Sequence, residues 1–258
     1  MLEITSASNN RIKQVIQWQK SAKDREKDNV FLVEGAKMYK EAPKSWIKEV
    51  YLTSKMYEEL KDIICDASYE CILIPDSLMV KISDTKTPQG ILTVLTRPNV
   101  SCDFDDVDPP LYIVLENLQD PGNMGTIIRM AEAAGVTRVL VSKDSVDIYN
   151  PKVVRSTMGS IFRVRVTICE NICETVRNLR DRGINVYAAH LKGSEIYTDH
   201  DYKEATAFLI GNEGNGLTDE ITELANKRLF IPMEGSVESL NAGIAATILA
   251  DEAHRQRS

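Results

Sequence analysis

From Leu111 onward the sequence alternates short apolar runs with longer amphipathic ones, and this rhythm restricts the fold more than any other feature of the chain. Leu111–Leu115, Arg138–Val141, Arg163–Thr167, Ile184–Ala189, Ala205–Ile210 and Arg228–Ile231 have the length of buried strands. Between and after them, Met124–Ala134, Pro151–Ser160, Asn171–Arg182, Thr218–Ala225 and Ser239–Arg255 carry apolar residues at helical spacing. Such alternation predicts a mostly parallel sheet with helices on both faces, because a parallel neighbour is reached only through a crossover. Two of the strands end in bends in quick succession. Phe208-Leu209-Ile210 runs into Gly211-Asn212-Glu213-Gly214-Asn215-Gly216-Leu217, and Phe230-Ile231-Pro232-Met233 leads to Ser239-Leu240-Asn241-Ala242-Gly243. In an open α/β sheet, ligands bind outside the carboxyl ends of the strands, against exposed backbone groups. The pair of bends therefore predicts a small-molecule site made largely of main chain.

The segment before Leu111 reads as a separate, smaller α/β module. Ser8-Asn9-Asn10-Arg11-Ile12-Lys13, followed by Val15, Ile16 and Trp18, is a capped amphipathic helix. Strand-like runs follow at Val30–Val33, Ile47–Leu52, Cys71–Ile74 and Gly90–Leu95, with amphipathic stretches at Ser54–Ile64 and Asp76–Ile82. Arg97-Pro98-Asn99 and the acid- and proline-rich Asp103–Pro110 allow neither a helix nor a central strand. The domain reading is thus a module over residues 1–97, a linker over 98–110 and the larger α/β domain over 111–258.

Composition excludes several classes of function. No apolar run approaches the roughly 20 residues that cross a bilayer. The opening Met1-Leu2-Glu3-Ile4-Thr5-Ser6 has neither a basic leader nor an apolar core, so a cytoplasmic protein is expected. The five cysteines are odd in number and match no zinc spacing, and His190, His200 and His254 are scattered. Reduced thiols and no bound metal are the expectation. A net charge of −7 argues against adhesion of the whole surface to nucleic acid. A local basic patch stays open, because Lys13, Lys20, Lys23, Arg25 and Lys27 line the first helical region. They are either a solvated helix face or phosphate contacts.

Within the larger domain, strand Leu111–Leu115 delivers Glu116-Asn117-Leu118-Gln119-Asp120-Pro121-Gly122-Asn123. Pro121-Gly122 makes a turn, Asn123 is a candidate helix cap, and Arg129 follows nearly two turns into the helix. Arg129 is either a solvated helix arginine or a site residue. Gly211-x-x-Gly214-x-Gly216 has the wrong spacing for a dinucleotide fingerprint and follows a late strand, which disfavours a nucleotide-dependent oxidoreductase. Glu213 inside that loop is either a solvent-facing acid or an acceptor for a substrate or structural donor.

Three ordered blocks make the pattern specific: Asn123-x-Gly125-x-x-x-Arg129, Ile210-Gly211-x-Glu213-x-x-Gly216-Leu217, and Ile231-Pro232-Met233 leading to Ser239-Leu240-Asn241. In content, order and spacing they resemble the signature motifs of SpoU-type RNA 2′-O-ribose methyltransferases of the SPOUT superfamily, over Leu111 to Arg255. Ser8–Lys13 and Phe31-Leu32-Val33-Glu34-Gly35 resemble that family's amino-terminal substrate-binding domain, of ribosomal-protein-like fold.

The resemblance implies a trefoil-knotted α/β domain, a homodimer in which one subunit completes the other's site, and S-adenosylmethionine as cofactor. It also implies residue roles. Arg129 would be catalytic, with Asn123, Glu213, Ser239 and Asn241 around it. The cofactor would be held by Gly211, Ile231 and Leu240, with His190, Leu191, Asn212, Gly216, Met233, Ser239 and Ala242 in the same pocket. Here His190-Leu191-Lys192-Gly193 stands where relatives often carry small polar residues. Arg11, Lys13 and Arg155 would meet RNA, Arg155 near the dimer seam. The chemistry needs alignment of a sulfonium methyl with a ribose oxygen and removal of a proton. A free guanidinium holds its proton at ordinary pH, so an arginine either stabilises the developing alkoxide or holds a phosphate that accepts the proton. The expected substrate is 23S ribosomal RNA. The alternatives are tRNA, antibiotic-resistance methylation of ribosomal RNA and, in a different class, a non-catalytic RNA-binding or ribosome-assembly factor.

Overall fold

The structure is a computed structural model that describes residues 2–64, 69–99, 107–191, 195–236 and 239–258. Cys65, Cys102, Lys192, Gly193 and residues 100–106 of the expected linker lie outside the described residues. The chain divides into two compact units, Met1–Asn99 with Asp147–Phe162, and Val100–Val146 with Arg163–Ser258.

The first unit holds a five-stranded sheet made of β1 (Leu2–Glu3), β2 (Val30–Glu34), β3 (Ile47–Leu52), β4 (Glu70–Leu73) and β5 (Ile91–Thr96), in the order β1-β4-β3-β5-β2. The sheet is mixed: β3 and β4 run parallel, and β5 runs antiparallel to β2 and β3. Five helices come from the amino-terminal segment: α1 (Asn10–Lys20), α2 (Ala22–Lys27), α3 (Ala36–Glu41), α4 (Ser54–Ile64) and α5 (Asp76–Ile82). On α1, Ile12, Val15 and Trp18 recur at helical spacing and pack with Leu78, Met79 and Ile82 of α5 over Val30, Leu32, Leu92 and Val94 of the sheet. Phe31, facing the other way, meets Tyr149 from the later segment at 4.8 Å between ring centres.

The second unit is a seven-stranded, all-parallel sheet. Its strands are β6 (Leu111–Leu115), β7 (Arg138–Ser142), β8 (Val166–Cys169), β9 (Asn185–Ala189), β10 (Glu195–Ile196), β11 (Thr206–Ile210) and β12 (Lys227–Phe230), in the order β10-β12-β9-β11-β6-β7-β8. Helix α6 (Pro121–Ala133) follows β6, and α7 (Pro151–Ser156) lies in the stretch that joins the first unit. Helices α8 (Ile172–Asp181), α9 (Asp219–Glu223) and α10 (Ala242–Arg257) complete the set. One face of the sheet packs Val114, Leu140, Val186 and Leu209 against Val176 and Leu179 of α8 and Ile221 of α9. On the other, the alanine-rich α10 packs against α6 and β11. The small side chains let it approach closely: a Cβ on Gly243 would stand 3.4 Å from the Thr126 methyl.

Two expected boundaries move, for local reasons. The helix read as Pro151–Ser160 stops at Ser156, because Met158 and Gly159 take left-handed φ values of 52° and 102°. The strand read as Arg163–Thr167 accordingly starts at Val166. Helix α6 starts earlier than Met124, because Asp120 caps it by accepting the Asn123 N–H at 2.8 Å, with Pro121 at the first position.

Candidate active site

Strands β12, β9, β11 and β6 lie side by side and parallel, so the segments that follow them leave the sheet along one edge. These segments are Ile231 onward, His190-Leu191, Gly211–Thr218 and Glu116–Asp120. Topology alone thus gathers the bends read from the sequence.

The loop after β11 closes on itself. Asn212 N–H donates to Gly216 C=O at 3.0 Å, and Gly216 N–H donates back at 2.9 Å. A Cβ on Gly211 would come within 2.2 Å of the Gly216 carbonyl carbon and the Leu217 nitrogen, so only glycine permits the return. The Asn212 side chain is consumed inside the loop: Oδ1 accepts from Gly214 and Asn215 N–H, and Nδ2 donates to Asn117 C=O at 2.8 Å. The far end is held by Glu116, a buried acid whose carboxylate accepts from Thr218 N–H at 2.8 Å and from the Thr218 hydroxyl at 2.7 Å.

Glu213 ties this loop to the one after β6. Its carboxylate accepts from Gln119 N–H at 3.1 Å, Asp120 N–H at 2.9 Å and Asn123 Nδ2 at 3.0 Å. Asn123 Oδ1 in turn accepts from Asn241 Nδ2 at 2.7 Å. A carboxylate only accepts, so Asn123 must turn its NH₂ toward Glu213 and its oxygen toward Asn241. Asn241 Oδ1 caps α10, accepting from Gly243 N–H at 2.9 Å and Ile244 N–H at 3.3 Å. Burial alone pushes the Glu213 carboxyl up, but the hydrogen bonds from Asn123, Gln119 and Asp120 outweigh it and hold the acid below its ordinary range. Asn123, Glu213 and Asn241, distant in sequence, therefore form one hydrogen-bonded chain across three loops. Asn123 is not the cap of α6. Asp120 fills that place, which leaves the Asn123 side chain free for the junction.

Arg129 is on the same helix as Asn123, roughly 9 Å further along its axis. It is exposed between the buried Ile128 and Met130 and makes no ion pair or hydrogen bond among the described residues. Ser239 is exposed too, and no hydrogen bond joins either residue to the Asn241–Asn123–Glu213 chain. Around the loops stand apolar groups open to solvent: Leu191 is 63% exposed and Met233 38%, while Ile231 and Leu240 are half-buried. His190 N–H extends the sheet by donating to Leu229 C=O at 2.9 Å. Ala242 is buried at the start of α10.

The expected RNA contacts lie in the first unit. Lys13 is exposed, Arg11 is paired to Glu70 at 2.7 Å, and Arg155 is paired to Asp84 at 2.9 Å on a half-exposed side chain. Arg25 is withdrawn from the basic face: it is buried and pairs with Asp147 at 2.5 Å. The sequence reading missed Glu116 and the backbone of Gln119 and Asp120. An acid directly after a wholly apolar strand was the one available signal for Glu116. Among the described residues there is no cluster of His, Cys, Asp or Glu able to hold a metal ion, and no helix long and apolar enough to cross a membrane. Burial, with Glu220 beside it, pushes the Cys173 thiol up to about 11, which keeps it protonated and unreactive.

Comparison with known proteins gives the same picture. Residues 110–251 match the SpoU rRNA methylase family, and residues 9–93 match the MRM3-like substrate binding domain. The chain is 32% identical over 255 residues to the 23S rRNA (guanosine(2553)-2'-O)-methyltransferase RlmP of Bacillus subtilis, covering 96% of this chain and 98% of that protein. Among solved structures, an AdoMet-bound rRNA methyltransferase from Sinorhizobium meliloti superposes with a TM-score of 0.88 at 29% identity, over 98% of this chain and 97% of that one. The AviRb methyltransferase of Streptomyces viridochromogenes, in complex with AdoMet, gives 0.87 at 28% identity over 96% and 99%. With its parallel sheet, its three interlocked loops and matches along both units, the chain belongs to the SpoU rRNA methylase family.

Proposed function

We propose that the protein transfers a methyl group from S-adenosylmethionine to a ribose 2′-oxygen of large-subunit ribosomal RNA. The observation that carries this reading is the Asn241–Asn123–Glu213 junction, which fixes three strand-end loops against one another at the start of the helix that carries Arg129. The residues present fit the cofactor. Backbone groups of Gly211, Ile231 and Leu240 are available at the strand ends, and the exposed Leu191 and Met233 offer apolar surface for an adenine ring. Bound there, S-adenosylmethionine supplies an electrophilic methyl group. The protein's share is positional: Glu213 and Asn123 hold the start of α6, and that helix carries the Arg129 guanidinium, which stabilises the negative charge that develops on the ribose oxygen as the hydroxyl proton passes to a phosphate of the bound RNA or to water. The match to a substrate-binding domain over residues 9–93 favours ribosomal RNA over tRNA.

The reading extends to the assembly. The exposed side of α6, with Gly122, Thr126, Arg129 and Ala133, and the exposed Ile244 with half-buried Thr247 and Ile248 on α10, present small and apolar groups suited to a second copy of the chain. A two-fold dimer of twice 28.9 kDa is expected in sedimentation equilibrium. A fully active monomer would remove this part of the reading. Threading of α10 through the preceding loops belongs to the same proposal. What supports it is that β12 lies beyond β9, while α10, which follows, returns to pack on β11 and α6. An experimental chain trace without that crossing would refute it. Assignment of residues 1–97 to RNA capture and a cytoplasmic location complete the proposal, the latter in keeping with the free thiols of Cys71 and Cys173.

The deciding experiment is Arg129→Ala. Methyl transfer from labelled cofactor to total RNA should fall by about a few hundred-fold, the effect of losing roughly 3–4 kcal/mol of charge stabilisation. Cofactor affinity, read by calorimetry, should stay near the wild-type value. Transfer at the wild-type rate would end this reading.

A further inference from the structure

A cavity of about 340 Å³ opens in the first unit between the turn from β2 into α3, the loop from α5 to β5, and α7. Its polar side is rigid. The Glu34 carboxylate accepts from Gln19 Nε2 at 3.1 Å, Asp84 N–H at 2.6 Å, Thr85 Oγ1 at 3.0 Å, and the Ser83 hydroxyl. Gln19 Nε2 also donates to Ile82 C=O at 2.8 Å. Both bonds demand the NH₂ end of that amide, so its orientation is fixed. Gln19 Oε1 is left buried with no hydrogen-bond partner among the described residues.

The opposite lip is built for access. Gly35 has φ of +95°, and a Cβ there would lie 2.7 Å from Gln89 Oε1, so the glycine lets the Gln89 amide lie across the turn. Gln89 and Thr87 are exposed. Met38, Val154 and the 45% exposed Met158 supply apolar walls. Lys37 stands at the rim with its side chain 61% exposed, and Arg155 with 47%.

The Gln89 amide, which both donates and accepts, the apolar walls and the cations at the rim match a planar heterocycle with polar edges and an attached phosphate. Paired bases bury their Watson–Crick edges, so a pocket of this size takes one unstacked base and not a duplex. We propose that this cavity receives a single unpaired nucleobase of the substrate RNA and is the place where the first unit reads sequence. This rests on the reading that the protein acts on RNA, and it adds a base-specific site to the general phosphate contacts expected of Lys13.

The full-length protein is titrated with single-stranded RNAs of about six nucleotides of each base, with a duplex of equal length, and with the free 5′-mononucleotides. One base should bind about tenfold more tightly than the others, and the duplex more weakly than any single strand. Thr87→Trp, filling the cavity from an exposed position, should abolish the preference. Gln89→Leu, which keeps the volume and removes the edge contacts, should reduce it severalfold. Cofactor affinity and melting temperature should not change. Equal affinity for all four sequences, wild-type preference in both variants, or mononucleotides bound as tightly as the oligomers would each overturn the proposal, the last by making this a site for free nucleotides. Binding is read without methyl transfer, so a failed pocket leaves the Arg129 experiment standing, and a failed Arg129 experiment leaves the base preference measurable.

Discussion

Glu213 accepts hydrogen bonds from two backbone N–H groups and one side-chain amide, and such an acid holds loops together better than it moves protons. Its lowered pKa makes it a weaker base than an ordinary glutamate, which favours a positioning role. The sign of its contribution to stability follows from the same shift. A carboxyl whose folded pKa is depressed stabilises the fold above its unfolded value of about 4.3, and the benefit is lost as pH falls through the lower, folded value. Glu213→Gln should therefore be less stable than wild type in urea at pH 7, by roughly 1–2 kcal/mol because the group is open to solvent on one side. The difference should shrink toward zero as pH falls through the lowered, folded value. A difference independent of pH would show that the carboxylate is not the joint described. Asn123, Glu213 and Asn241 are marked only by the resemblance of their motifs to the SpoU signature blocks, since the residues by themselves make Asn123 a helix cap and leave Glu213 open. For Glu116 the sequence offers only its place after an apolar strand, and not its role, because the partner that explains this buried acid, Thr218, lies 102 residues away.

At the level of elements, α10 is secured at both ends by side chains of different kinds. Asn241 caps its first turn. At the last turn, the Arg257 guanidinium donates to the carbonyls of Tyr202 at 2.8 Å, Pro109 at 3.0 Å, Pro110 at 3.2 Å and Glu204 at 2.6 Å. One planar donor thereby joins the helix to the segments that lead into β6 and β11. Burial depresses the Arg257 pKa, although Glu204 opposes this, so the charge is held by carbonyl dipoles rather than by full solvation. Arg257→Ala should cost about 2–3 kcal/mol, a fall in melting temperature of roughly 4–10 °C. Arg257→Lys should recover only part, since an ammonium cannot span four acceptors. A melting temperature unchanged in Arg257→Ala would mean that these bonds merely replace bonds to water. The sequence showed where most elements lie because apolar periodicity is local. Their ends were less legible: the left-handed turn at Met158 and Gly159 and the two-residue strand Glu195–Ile196 depend on neighbours that no window of sequence contains.

For the whole molecule, the decisive feature is that Asp147–Phe162 belongs with the amino-terminal unit although it is encoded inside the larger one. The stretch before Leu111 is expected to be a linker because prolines and acids repel regular structure, and residues 100–106 of it lie outside the described residues. The return of a six-residue helix to another unit leaves no such mark. Its anchors are tertiary. Tyr149 and Phe162 stand 4.8 and 6.5 Å from Phe31 between ring centres, and Phe162 stands 6.3 Å from Trp46. Asp147 neutralises the buried Arg25, whose guanidinium also donates to Trp18 C=O at 2.5 Å. Cutting the chain at residue 110 therefore separates the first unit from part of itself. The fragment 1–99 would keep Arg25 with its charge unpaired, a loss of about 3–5 kcal/mol, and the fragment 111–258 would expose Tyr149 and Phe162 to water. Neither fragment should unfold cooperatively in urea on its own, and the second should self-associate on size exclusion. In the intact protein, Asp147→Asn should lower stability while leaving the loops at the strand ends, and hence cofactor affinity, unchanged. A soluble, cooperatively folding fragment 111–258 would show instead that the segment adapts to either unit. In that case RNA capture by residues 1–97 could be tested by simple truncation.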